Sequence, residues 1–299
     1  VEIRNIISKR GRKMIFLESK SKKQVIYSTI TILGLVFTIL WFTPILWIIV
    51  TSFKPTGEIL TNPPQWIPSE FTSFHYDRVF LKPIAQWTFN SLYITIISTL
   101  LTIILGATAG YAFARLQFFG STVLFWVVLS SFMMPFEVFL IPLYRMMGAL
   151  DLVGTRWSII LPSIASPFAV YLFRQFFLGI PRDLEDAAAV DGAGLWRRFI
   201  YVILPLSVPA CTSVGILAFA ENFNQYLWPL LMSSSDTVKT LPVGIAQFAP
   251  STTMGSTEIT DYYGMGAAAA TLLAIPSMIV FLILQRFFIS NKMTSGMKF

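Results

Sequence analysis

The sequence predicts an all-α membrane protein with six transmembrane helices, and three observations carry that expectation. Hydrophobic residues make up 55% of the 299 and charged residues only 12%, against about 45–50% and about 25% in soluble chains. The apolar residues gather in six long runs. A helix rising about 1.5 Å per residue needs roughly 20 of them to cross a hydrocarbon core about 30 Å thick. Between the fourth and fifth runs lies a patterned polar island, residues 180–210, longer than a connection between spans requires.

Taken in order, residues 1–24 form a basic segment with Arg4, Lys9, Arg10, Arg12, Lys13, Lys20, Lys22 and Lys23. Beside a first span, such a run anchors to anionic headgroups and sets topology, so the net charge of +7 points to membrane lipid and not to nucleic acid. The first span, 25–53, is uncharged up to Lys54, and it is too long and lacks the small-residue cleavage site of a signal peptide. A second span lies within 87–114 and is closed by Arg115. A third runs from 121 to about 144, and a shorter fourth, 157–173, holds Pro162 and Pro167. The fifth, 204–231, has Glu221 as its only charge, and the sixth, 263–289, is charge-free until Arg286. The intervening stretch 232–262 is too polar to add a seventh, and a short tail, 291–299, follows the membrane domain of 25–290.

Orientation follows from the basic residues. With the N-terminus inside, sixteen of the 22 lysines and arginines fall in cytoplasmic segments and six outside, which places both termini and the polar island in the cytoplasm. Trp41, Trp47, Trp66, Trp87, Trp157 and Trp228 stand near span ends, as an interfacial belt would require. Prolines recur within or beside spans and are expected to kink them. Gly106-x-x-x-Gly110 is a close-packing face, either for a neighbouring subunit or within the chain itself.

Catalytic equipment is scarce. There is no G-x-x-x-x-G-K-[ST] phosphate loop, no G-x-S-x-G elbow and no H-E-x-x-H helix. One cysteine, Cys211, and one histidine, His75, leave no material for a disulfide framework, a cysteine-based metal site or a multi-histidine centre. His75 reads as a surface or packing residue. No enzyme, cofactor or metal is expected of this chain.

The island reads IPRDLEDAAAVDGAGLWRRFIYVILPLSVPA. Pro181 suits a first helical turn, and Asp183, Glu185 and Asp186 complement the positive end of a helix dipole. Asp191-Gly192 can end that helix, and Trp196, Phe199 and Ile200 recur at the spacing of a second short one. The small Ala187, Ala188 and Ala189 permit close approach to a partner, and Trp196 and Phe199 could fill a pocket. Periodicity alone leaves a second reading open, an amphipathic loop lying on the headgroups. The polar set Glu221, Asn222, Asn224 and Gln225 sits in the fifth span, where polar groups are expensive unless they face a cavity or a partner. It lines a substrate path or bonds helices together. Glu137 lies nearer the outer end of the third span.

With Glu185, Ala187, Ala188, Asp191, Gly192, Ala193, Leu204 and Pro205 in place, the island resembles the EAA loop of ABC importer permeases, with Asp186 as an extra acidic residue inside the Glu-Ala pair. Further segments are similar to the carbohydrate-uptake permeases related to the maltose system. These are Asn90-Ser91, the run from Ala109 to Leu116, Met134-Pro135, the run from Ile141 to Tyr144, Arg174 to Phe177, Trp228-Pro229 and Gly266 to Ala268. The resemblance spans about residues 25–290 in order, while the ending Ser295-Gly296-Met297-Lys298-Phe299 departs from the family's tail.

That resemblance implies a type I ABC importer permease fold with cytoplasmic coupling helices. It implies a second homologous permease, two copies of an ABC ATPase that bind the ATP and magnesium, and an extracytoplasmic sugar-binding protein. The EAA loop would dock on the ATPase through Glu185, Ala187, Ala188, Asp191, Gly192, Ala193, Trp196 and Phe199. A secondary, ion-coupled transporter would need paired ionisable groups at mid-depth and repeated halves, and a membrane scaffold would not need the loop's pattern.

Overall fold

The computed structural model describes residues 2–249 and 256–289, with side chains described over 27–249 and 258–283. The basic side chains before residue 27, Arg286 and the tail 291–299 lie outside the described side chains. All described secondary structure is helical. In chain order the helices are α1 (Glu2–Ser52), α2 (Thr56–Ile59), α3 (Phe74–Phe80), α4 (Ile84–Arg115), α5 (Ser121–Phe132), α6 (Leu140–Ala149), α7 (Arg156–Ser163) and α8 (Pro167–Leu178). They continue as α9 (Asp183–Val190), α10 (Leu195–Arg198), α11 (Leu204–Leu206), α12 (Val208–Asn224), α13 (Leu227–Met232), α14 (Leu241–Ile245) and α15 (Ser256–Ile289).

Among the described residues three single helices are long and apolar enough to cross a membrane, and the crossings number six when each of three bent pairs is taken as one span. Tyr27–Ser52 of α1, all of α4, and Glu258–Ile283 of α15 are each long and apolar enough to span. The other three are bent pairs. The third expected span breaks between α5 and Phe136–Ala149 with a 99° change of direction. Pro135 sits at the break with ψ 138°, outside the helical region, and a proline also disfavours helix in the residue before it. The fourth bends by 42° between α7 and α8. There Ser166 caps the new helix by accepting from the Ala169 amide at 3.2 Å, and Pro167 occupies its first turn.

The fifth expected span, 204–231, needs the largest revision. Residues 204–206 belong to the preceding helical stretch, Leu195–Leu206, and a 75° bend separates that stretch from α12. Within it Phe199–Ile203 adopts the wider π-helical winding. Pro205 has no N–H to give the Tyr201 carbonyl, and wider winding is one way a helix accommodates that loss. After Asn224 the backbone turns extended at Gln225 (ψ 128°) before α13 begins.

Lipid-exposed apolar side chains cover α1 on all sides from Ile30 to Leu46, as expected where lipid is the solvent. The packed interior falls into three clusters, and α4 supplies residues to each. Trp87 joins Val79, Phe219, Phe223, Leu241 and Met265. Tyr111 joins Phe173, Phe177, Phe199, Ile203 and Val214. Ile94 joins Met147, Ile159, Ile160, Trp228 and Met232. The glycine pair packs within the chain: a Cβ at Gly106 would stand 2.9 Å from Ala169 Cβ, and one at Gly110 would stand 2.7 Å from Phe173 Cβ.

Two tryptophans leave the expected interfacial belt. Trp87 and Trp228 are fully buried, and Trp228 Nε1 donates to the Ser158 carbonyl at 3.0 Å. His75 is a packing residue: its ring is wholly buried beneath Gly264, with Nε2 3.0 Å from the Lys54 carbonyl oxygen. Burial lowers its pKa from the usual histidine value, so it is neutral at pH 7.

A candidate coupling loop and a polar cleft

The polar island folds into the two short helices that the residue pattern predicts, except that Pro181 stands before the N-cap Arg182 and not in the first turn. Asp183, Glu185 and Asp186 occupy the first turn of α9, where the exposed amides favour negative charge. The helix ends in a Schellman motif. Gly192, at φ 81°, donates to the Ala189 carbonyl at 3.0 Å, and Ala193 donates to the Ala188 carbonyl at 2.9 Å. Glycine is favoured there because the left-handed conformation costs other residues about 1–2 kcal/mol. Gly194 then leads into α10 with extended ψ (170°).

The two acidic neighbours of the motif part company. Glu185 points inward and is only 6% exposed. Its Oε2 accepts from Tyr111 Oη at 2.8 Å, and its Oε1 lies 2.6 Å from Arg115 Nε as an ion contact. Arg115 also donates through a terminal nitrogen to the Ile180 carbonyl at 2.6 Å. The loop is thus fastened at two points to the end of α4. Asp186 is exposed and lines, with Arg182 and Arg198, a cleft of about 160 Å³ over this bracket.

The presented surface includes Leu184, Asp186, Ala187, Ala189, Val190, Asp191 and Trp196. Trp196 is 65% exposed. Phe199, expected beside it as an outward anchor, is instead buried, with its ring 4.9 Å from that of Tyr111. Its side chain faces the junction with α4 and α8, so it holds the loop to the body and does not present itself to a partner. Ala188 and Ala193 are partly covered, and the glycines stay open.

The polar set of the fifth span separates as well. Glu221 and Asn222 line a cleft of about 20 Å³ with Thr102, Ser163 and Ser166. Thr102 lies near the middle of the 32-residue α4, which places this polar opening at mid-length of the bundle. Asn224 donates to the Ala220 carbonyl of its own helix at 2.8 Å, and Gln225 sits where α12 ends. The hydroxyls of Ser163 and Ser166 were not singled out from sequence. Their position between Pro162 and Pro167, at a break that opens the fourth span, was the available signal. Glu137 is exposed in the single turn that follows Pro135. Among the described residues no three metal-ligating side chains converge.

Residues 102–292 match the family model described as binding-protein-dependent transport system inner membrane component. The arabinooligosaccharides transport system permease protein AraQ of Halalkalibacterium halodurans is 34% identical over 287 residues, covering 93% of this chain and 99% of the relative. The trehalose transport system permease protein SugB of Mycobacterium tuberculosis is 36% identical, over 85% of this chain and 90% of its own. In the crystal structure of a bacterial ABC transporter involved in the import of the acidic polysaccharide alginate, one chain superposes with a TM-score of 0.76 at 20% identity. The match covers 89% of this chain and 97% of that one, and shows a shared fold. The match over residues 102–292 and the near full-length relatives, on a helical bundle with a bracketed polar loop, identify the chain as a member of the binding-protein-dependent transport inner membrane components, a multi-pass permease.

Proposed function

We propose that this permease forms half of the pore of an ATP-driven importer for an oligosaccharide, paired with a second, homologous permease. Two copies of an ABC ATPase, which carry the ATP and magnesium, dock beneath, one on the loop around α9 and the other on the matching loop of the second permease, and an extracytoplasmic binding protein delivers the sugar from above. Both termini and the loop lie in the cytoplasm, in keeping with the excess of basic residues assigned to that side.

The observation that carries this reading is the two-faced coupling loop. An inward bracket through Glu185 ties it to α4, while Leu184, Asp186 and Val190 stand exposed on a short helix ended by Gly192, and Trp196 on the one that follows. A loop that only rested on headgroups would need no buried ion contact to the spans. Sugar as cargo is supported by the relatives' names and by the chemistry of Glu221, Asn222, Thr102 and two serines, whose carboxylate, amide and hydroxyl groups suit sugar hydroxyls, although the opening of about 20 Å³ between them has room for only about one water in this structure. Glu221 is exposed in this chain, so a second permease would complete the walls around it.

The test is affinity purification of the solubilised protein, followed by ATPase assay with candidate sugar-binding proteins. Recovery of a second permease and an ATPase, with hydrolysis stimulated by one sugar-loaded binding protein, is the expected result. Recovery of the chain alone as a stable homo-oligomer would overturn it.

A further inference from the structure

α4 differs from every other crossing. Three crossings are broken by 99°, 42° and 75°, and the two other long helices carry a proline inside, Pro44 in α1 and Pro276 in α15. α4 has neither over 32 residues, and it enters all three packed clusters. Prolines, breaks and free glycines are where helices bend, and the two glycines of α4, Gly106 and Gly110, are closed against Ala169 and Phe173, so α4 is the stiff member among the described residues.

Both of its ends are bracketed. At one end Tyr111 and Arg115 hold Glu185 of the coupling loop. At the other, Asn90 uses its whole amide. Its Nδ2 donates to the carbonyls of Thr237 and Lys239, each at 2.9 Å, and its Oδ1 accepts from Arg156 Nε at 3.0 Å and Gln86 Nε2 at 3.2 Å. Ser91 Oγ accepts from the Leu241 amide at 2.7 Å, and Gly244 lies so close to the Trp87 ring that a Cβ there would meet it at 2.0 Å. The segment from Thr237 to Gly244 is therefore fixed to one end of α4 as firmly as the loop is fixed to the other. Asn90 and Tyr111 are separated by about 32 Å of continuous helix.

We infer that α4 is the strut through which the segment around Thr237–Leu241, on the face opposite the loop, and the coupling loop move as one body, with Asn90 and the Glu185 bracket as its positioning residues. The inference rests on the importer reading. Binding protein docking at one face and ATPase closure at the other then act on one rigid displacement, with no hinge between them to absorb it.

The test uses the whole importer in lipid nanodiscs, read as basal ATPase activity and as its stimulation by sugar-loaded binding protein. Ile104 and Leu105 face outward at mid-helix, 56% and 46% exposed, and touch neither bracket. Replacing both with glycine softens the helix, while replacing both with alanine removes the same side chains and keeps it stiff. The glycine pair is expected to keep basal hydrolysis and lose at least about fivefold in stimulation, the size of an ordinary coupling between sites, while the alanine pair stays near wild type. Equal stimulation in the two variants overturns the strut. Should the glycine pair fail to assemble, Asn90→Asp, which keeps the shape but loses the donors to Thr237 and Lys239, is expected to uncouple in the same way, and wild-type stimulation in it overturns the inference. Absence of stimulation in the wild-type complex would count against the importer reading itself.

Discussion

Glu185 Oε1 stands 2.6 Å from Arg115 Nε, with both side chains below 10% exposed. The acidic residue that marks the loop's motif is thus spent inside the subunit, on the end of α4, while its neighbour Asp186, like Asp183 and Asp191, faces outward. Removing one member of a buried pair strands the other. Glu185→Ala is expected to cost about 3–5 kcal/mol, seen as a lower thermal midpoint of the solubilised subunit, whereas Asp186→Ala should leave that midpoint nearly unchanged. Equal midpoints for the two variants would remove the bracket from the account.

Gly192 tests backbone conformation and not space, because no atom lies within 4 Å of where its Cβ would be. At φ 81° a β-branched residue is strained by roughly 1–3 kcal/mol, and asparagine by less. Gly192→Val should insert normally yet lose sugar-stimulated ATPase activity at least about tenfold, with Gly192→Asn intermediate. Normal stimulation in the valine variant would show that the Schellman turn is not needed for coupling.

Trp196 and Phe199, three residues apart with ring centroids 6.1 Å apart, should behave oppositely. Phe199→Ala opens a cavity beside Tyr111 and is expected to destabilise by about 3–5 kcal/mol. Trp196→Ala should change stability by no more than about 0.5 kcal/mol and instead weaken capture of the ATPase in co-purification. A Trp196→Ala subunit that retains its ATPase in full would mean this ring is not part of the docking face.

His75 sets a pH dependence. Its folded pKa is lowered, chiefly by burial, so the unfolded chain takes up the proton first as pH falls. The stability tied to neutral His75 is whole above the ordinary histidine pKa of about 6.5 and declines as pH drops below it. Thermal midpoints measured between pH 7.5 and pH 5.5 should fall for wild type and flatten in His75→Gln. Parallel slopes would locate the titration elsewhere.

Class, the count of apolar runs and the loop were legible in the residue pattern alone. Hydropathy over some twenty residues is a property of composition, and the acidic turn, the alanines and Asp191-Gly192 act over a few neighbouring residues, so both can be read without knowing the fold. The breaks were half legible: prolines mark where a helix is weakened, but the 99°, 42° and 75° bends depend on what each segment packs against. Which way each side chain turned was settled by packing between distant segments. That packing placed Phe199 and Glu185 inward, buried Trp87 and Trp228, set Glu221 beside Thr102, and joined Asn90 to Thr237 and Lys239 across about 150 residues of chain. The physical reason is that lipid as solvent makes apolar residues acceptable on every face, which erases the inside–outside pattern that soluble helices carry. What remains to orient a span is steric fit and the pairing of its few polar groups, and both are made between residues distant in sequence.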